Sequence, residues 1–79
     1  MAMSKSKNDS EKLYLLIGSN IRRLRKSKKL TQYDLAIRCD MDRSYLGYIE
    51  NAKFNVTLAK LCDIANVLDV NVLGFFKEN

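Results

Sequence analysis

Histidine is absent from this chain, which removes the commonest general base, the commonest metal ligand and every histidine-dependent triad. The 79 residues include two cysteines, Cys39 and Cys62. They stand far apart with no second thiol beside either, so neither a zinc knuckle nor a redox pair is indicated. Both fall in apolar patterns that mark them as small buried hydrophobes. No glycine-rich phosphate loop and no nucleophile motif occurs; an enzyme is not indicated, and no cofactor or metal is expected. The longest apolar run, Leu13 to Ile17, is far too short to span a membrane, and nothing reads as a secretory leader. These absences suggest the cytoplasm, where free thiols persist. Asn55-Val56-Thr57 therefore matches a glycosylation acceptor in letters only.

What is present suits one small folded domain. Hydrophobic residues make up 47% of the chain, too many for a disordered tail. The length allows one thin core, to which a partner subunit could add stability. The formal net charge is +5, and its placement is more telling than its size. Arg22, Arg23, Arg25, Lys26, Lys28 and Lys29 fall in one short stretch with no acidic residue among them. A plain solvated face usually mixes signs, so this run points to a phosphate-facing patch.

Residues 1–9 are polar, without apolar periodicity, and read as a flexible arm ahead of a domain covering 10–79. Leu13, Ile17, Ile21 and Leu24 share one helical face, predicting a helix from Ser10, capped by Ser10 or Asp9. Thr31 with Asp34 three residues on forms a near capping box for a second helix that ends near Cys39. After the break Asp40-Met41-Asp42, Asp42 can cap a third helix from Arg43 to about Asn51. Thr57 starts a fourth, with Leu58, Leu61, Cys62, Ala65 and Leu68 as its apolar face. Val70 to Phe76 reads as a short fifth. Strand-like alternation and internal repeats are lacking, so an all-α fold of five helices is expected.

Two short helices joined by a three-residue break pack steeply only when small or apolar groups line the crossing. Ala36 sits where the backbones approach, Leu35 and Cys39 lie beside it, Met41 fills the turn, and Leu46 and Ile49 close the other side. This is the requirement for a helix-turn-helix whose second helix enters the major groove. From Leu30-Thr-Gln-Tyr-Asp-Leu-Ala through Ile49-Glu-Asn, the chain resembles the lambda-repressor/Cro (xenobiotic-response-element) family, with the likeness running from about Ile21 to Phe76. Asp42-Arg43-Ser44-Tyr45 and Asn55-Val56-Thr57 are most similar to the controller proteins of restriction–modification systems. One departure is Asp40, where the family commonly has glycine; aspartate tolerates the left-handed conformation better than most residues.

Arg43, at the start of the third helix, can bind guanine O6 and N7 together or grip a phosphate. Ser44 can bond a base or a phosphate, or serve simply as an early-turn residue. Tyr45 and Tyr48 can offer apolar bodies to thymine methyls or pack on a neighbouring helix; the resemblance places both toward DNA. It also implies that Gln32, with Tyr33 beside it, grips a phosphate at the start of the second helix, and that Asn51, Lys53 and Asn55 track the strand backbone. Arg22, Arg23, Lys26, Lys28 and Lys29 shape the field. The resemblance further implies a buried ion pair between Arg25 and Glu50. Gly47 should cost its helix about 1 kcal/mol against alanine.

Val70, Val72, Leu73, Phe75 and Phe76 offer more apolar surface than one core needs, and the family builds a two-fold interface here. The resemblance thus implies a homodimer on near-palindromic double-stranded DNA near its own promoter, acting as repressor or activator, with RNA polymerase a further partner. Asp63 and Asp69 are too scattered to mark an activating patch. The rival reading is an antitoxin-like or protein-interaction module on the same scaffold, which would not need the basic run, Arg43 and Gln32 together.

Overall fold

The computed structural model describes residues 6–53 and 56–78. Among them, four α-helices, α1 (Ser6–Ser27), α2 (Gln32–Arg38), α3 (Arg43–Glu50) and α4 (Leu58–Leu68), precede a C-terminal 3-10 helix, Val72–Phe76, and no strand occurs. The expected fifth α-helix is thus a 3-10 turn. Five residues leave little room for α-type bonding. Asn71 caps the segment, accepting from the Leu73 N–H at 2.9 Å, and the Gly74 N–H closes a tight i→i+3 turn onto the Asn71 carbonyl at 2.8 Å. No helix among the described residues is long and apolar enough to cross a membrane.

Helix α1 begins at Ser6, ahead of the expected Ser10, so Asp9 and Ser10 lie inside it rather than capping it. Asp9 in the first turn favours the positive end of the helix dipole. Thr31 caps α2 in a complete capping box: its hydroxyl accepts from the Asp34 N–H at 3.0 Å, and Asp34 accepts from the Thr31 N–H at 2.9 Å. The Thr31 bonds hold the Asp34 carboxyl below its ordinary value. Thr57 caps α4 as expected, whereas Asp42 holds the cap position of α3 without a side-chain bond.

All four helices end alike. Lys29, Asp40, Ala52 and Asp69 carry φ between 55° and 61°. Each left-handed residue is followed by one whose N–H reaches back to close the helix: Leu30 to Arg25, Met41 to Ala36, Lys53 to Tyr48 and Val70 to Ala65. These are Schellman closures built without glycine.

The core gathers Ile17, Ile21, Leu35, Ala36, Leu46, Ile49, Leu61, Ile64, Ala65, Leu68 and Phe75. Helix α1 packs against α3 and the C-terminal turn, α2 against α3 and α4. Three apolar expectations need correcting. Leu13, 43% exposed, lies outside the core although it continues the α1 stripe. On α4 the inward face is Leu61, Ile64, Ala65 and Leu68; Leu58 and Cys62 are exposed beside it. Cys39 is buried, and burial pushes its thiol up, away from the reactive thiolate.

Two residues that the sequence pattern did not single out fix how α1 is seated. A Cβ on Gly18 would stand 2.5 Å from the Ile49 carbonyl oxygen and 2.6 Å from that of Glu50, so only glycine lets α1 and the end of α3 come this close. Asn20, fully buried, donates its amide to the carbonyls of Phe75 and Lys77, both at 2.9 Å. This clamps the C-terminal turn onto α1 and satisfies the buried Phe75 carbonyl, which would otherwise be costly.

Candidate nucleic-acid interface

The α2–α3 turn sets the geometry. Asp40 adopts φ 55°, the conformation that glycine would take most easily. The Asp40 N–H donates to the Ile37 carbonyl at 3.1 Å and the Met41 N–H to Ala36 at 2.9 Å. Leu35, Ala36, Cys39, Leu46 and Ile49 are buried and Met41 is half-buried. Small and apolar groups therefore fill the crossing, and the start of α3 is left in solvent with Asp42, Arg43 and Ser44 exposed.

From this start a chain of polar contacts runs inward. Arg43 Nη1 donates to Gln32 Oε1 at 3.2 Å. Gln32 Nε2 donates to Glu50 Oε1 at 3.0 Å. Arg25 grips the same carboxylate with both arms, Nε to Oε2 at 2.7 Å and Nη2 to Oε1 at 3.0 Å, and gives Nη1 to the Leu30 carbonyl at 2.8 Å. Arg25 and Glu50 are buried, so the ion pair implied by the resemblance is present. Burial alone would push the Glu50 carboxyl up. Donation by Arg25 and Gln32, with the charges of Arg25 and Arg22, outweighs it and holds the group below its ordinary value.

The far end of α3 is ordered too. Asn51 Nδ2 donates to the Gly47 carbonyl at 2.9 Å, and Arg22 Nη2 donates to Asn51 Oδ1 at 2.8 Å. Arg22 Nε also stands 3.6 Å from Glu50 Oε1. Arg22, read from sequence only as part of a diffuse field, is thus tied to the end of α3. Its spacing of three from Arg25 was the available signal, because residues three apart on a helix are neighbours.

The structure brings Gln32, Arg43 and Asn51 onto one connected surface. Ser44, Tyr48 and Lys53 are exposed around it, and Tyr33 is 60% exposed on α2. Tyr45 is half-buried and packs against the core. Asn55 lies outside the described residues. A Cβ on Gly47 would meet the Gln32 amide at 3.6 Å, an ordinary contact, so Gly47 is not required by crowding inside the chain. In the C-terminal segment, Leu73 is 65% exposed and Val70, Val72 and Phe76 are half-buried. Phe75 is fully buried in the chain's own core, which removes it from the expected interface face.

Comparison with known proteins agrees with this geometry. The chain is 38% identical over 64 residues to an immunity repressor of Bacillus phage phi105, covering 81% of this chain and 44% of that protein. It thus spans less than half the length of the phage repressor. It is 37% identical over 62 residues to control protein C.MunI from Mycoplasma sp, covering 77% and 84% of the two chains. The crystal structure of the restriction-modification controller C.AhdI from Aeromonas hydrophila superposes with a TM-score of 0.77 at 35% identity, covering 80% of this chain and 96% of that one. The helix-turn-helix family profile HTH_3 matches residues 21–75, and the chain belongs to that helix-turn-helix family of DNA-binding regulators.

Proposed function

We propose that this protein is a cytoplasmic homodimer that binds a near-palindromic duplex at its own promoter in the manner of a restriction–modification controller, with α3 in the major groove. One observation carries the reading: Arg43 is exposed at the start of α3, yet its guanidinium is steered by Gln32, which is itself anchored on buried Glu50. An exposed arginine normally samples many rotamers. Holding it before the target arrives lowers the ordering cost of a base contact. Arg43 reads a guanine edge, while Gln32 and the start of α2, with Asn51 and Lys53 after α3, position the helix on phosphates.

The exposed Leu73, with Val70, Val72 and Phe76, supplies the two-fold contact. That contact sets two recognition helices about 34 Å apart on successive major-groove faces. Occupancy of one site recruits RNA polymerase and filling of an adjacent one blocks it, the scheme that similarity to controller proteins suggests.

Fluorescence anisotropy against a duplex from upstream of the gene, beside a scrambled duplex and with salt varied, tests this. The expected result is preference for the first duplex, steep salt weakening, and loss of preference by about 1–3 kcal/mol in Arg43→Ala. Equal weak binding to both duplexes would exclude a self-regulating operator; no binding at low salt would favour a protein-interaction module.

A further inference from the structure

At the end of α3 two guanidinium groups flank one carboxylate. Arg25 takes both oxygens of Glu50, and Gln32 adds the third donor to the carboxylate, the second on Oε1. Arg22 is left outside this arrangement, 3.6 Å from Oε1, with its side chain 42% exposed while that of Glu50 is fully enclosed. The three groups carry one net positive charge. Because the Arg25 pairing is buried and bidentate, the surplus resides on Arg22, at the surface.

That surplus charge is also held in place. Asn51 accepts from Arg22 Nη2 at 2.8 Å and is itself fixed to the α3 backbone through the Gly47 carbonyl. Arg22 is therefore registered to the C-terminal end of the recognition helix, much as Arg43 is registered to its start. Arg23, next in sequence, carries the same charge in another direction, donating to Asn20 Oδ1 at 3.2 Å beside the C-terminal turn. A guanidinium has five N–H donors in a planar fork that suits phosphate oxygens, and Asn51 occupies one.

We propose that Arg22, oriented by Asn51, binds one DNA backbone phosphate at the C-terminal end of α3, so that the recognition helix is gripped at both ends. This rests on the reading of α3 as the groove-entering element. The contact is sequence-independent: the phosphate supplies a second counter-charge at the surface, since Glu50, enclosed and paired bidentately with Arg25, offsets only one of the two guanidinium charges.

The test compares wild type, Arg22→Ala and Arg23→Ala, which remove equal charge, against the upstream and scrambled duplexes over a salt series, with a thermal melt of each protein. One lost phosphate contact lowers the slope of log affinity against log salt by about 0.9, which is about eightfold in affinity between 1 M and 0.1 M salt. Arg22→Ala should show this loss on both duplexes alike, leaving their ratio unchanged and lowering the melting temperature by no more than a few degrees. Arg23→Ala should lose about twofold or less, since its charge acts only through screening solvent. Equal effects of the two variants, or an unchanged slope in Arg22→Ala, would overturn the proposal. A melt lowered as far as that of Glu50→Ala would make Arg22 a structural buttress instead. If wild type binds neither duplex, the parent reading fails with it; if wild type binds and Arg22→Ala is unaffected, the phosphate contact alone fails.

Discussion

Replacing Glu50 by alanine tests the centre of this architecture. The Glu50 carboxylate receives Arg25 at 2.7 and 3.0 Å and Gln32 at 3.0 Å. Its loss strands a guanidinium whose side chain is 8% exposed, bonded still to the Leu30 carbonyl. Breaking a buried pair by removing one partner costs about 3–5 kcal/mol, chiefly because the surviving charge is desolvated without compensation. At roughly 0.05–0.15 kcal/mol per residue, a chain of this length has about 4–12 kcal/mol in total. For domains of this size each kcal/mol moves the melting temperature by about 4–8 °C. Circular-dichroism melting should therefore show Glu50→Ala at least about 12 °C below wild type. The double variant Arg25→Met/Glu50→Leu should recover much of the loss, since it strands no charge. A Glu50→Ala melting curve within a few degrees of wild type, or a double variant worse than the single, would refute the reasoning.

The same group makes a pH prediction whose sign is fixed. The native carboxyl titrates below its ordinary value of 4.5, so the folded state binds the proton less readily than the unfolded chain. The stabilisation is complete above the ordinary value and is lost as pH falls through the lowered native one. The gap in melting temperature between wild type and Glu50→Gln should stay constant from neutral pH to about pH 5 and narrow below that. A gap that widens on acidification would contradict the ion-pair account.

Two further outcomes concern other parts of the fold. Gly18→Ala puts a methyl against the Ile49 and Glu50 backbone oxygens and should cost about 1–3 kcal/mol by overpacking, read as an earlier urea midpoint; an unchanged midpoint would show that the α1–α3 approach can relax freely. Leu73→Glu, at a 65% exposed position, should keep the helical circular-dichroism spectrum but give a monomer in sedimentation at micromolar concentration, with a melt that no longer depends on protein concentration. Wild type sedimenting as a monomer there would remove the two-fold model.

The sequence was legible where one local rule decided the outcome. Thr31 and Asp34 form the expected capping box because both partners lie within one turn. Asp40 takes the left-handed conformation because a helix must close there and the hydrogen-bond pattern of the turn allows nothing else as easily. The α2–α3 crossing was legible for a similar reason: Ala36, Leu46 and Ile49 are set by helical periodicity on either side of a short break. Periodicity misled where a stripe outran the body it packs on. Leu13 continues the face of Ile17 and Ile21, yet it is left 43% exposed where they are buried. On α4, choosing Leu58 and Cys62 over Ile64 rotated the face slightly, because cysteine and leucine score as apolar wherever they stand.

The features that were missed share a different cause: each depends on an atom brought from far along the chain. Asn20 falls on the same helical face as Ile17, and a polar residue in an apolar stripe is a usable signal. Its partners, however, are the carbonyls of Phe75 and Lys77, more than fifty residues away. Gly18 is an unexplained helix-interior glycine until the α3 carbonyls arrive opposite it. Arg22 and Arg23 are equivalent in composition, and only the rotation of α1 sends one to Asn51 and the other to Asn20. The basic run therefore gave the sign of the field without its direction. That rotation also sets their places around Glu50, whose oxygens accept from Arg25 and Gln32 while Arg22 stands 3.6 Å from Oε1. A single buried carboxylate thus takes Arg25 into the structure, anchors the glutamine that holds Arg43, and leaves the Arg22 side chain 42% exposed at the surface.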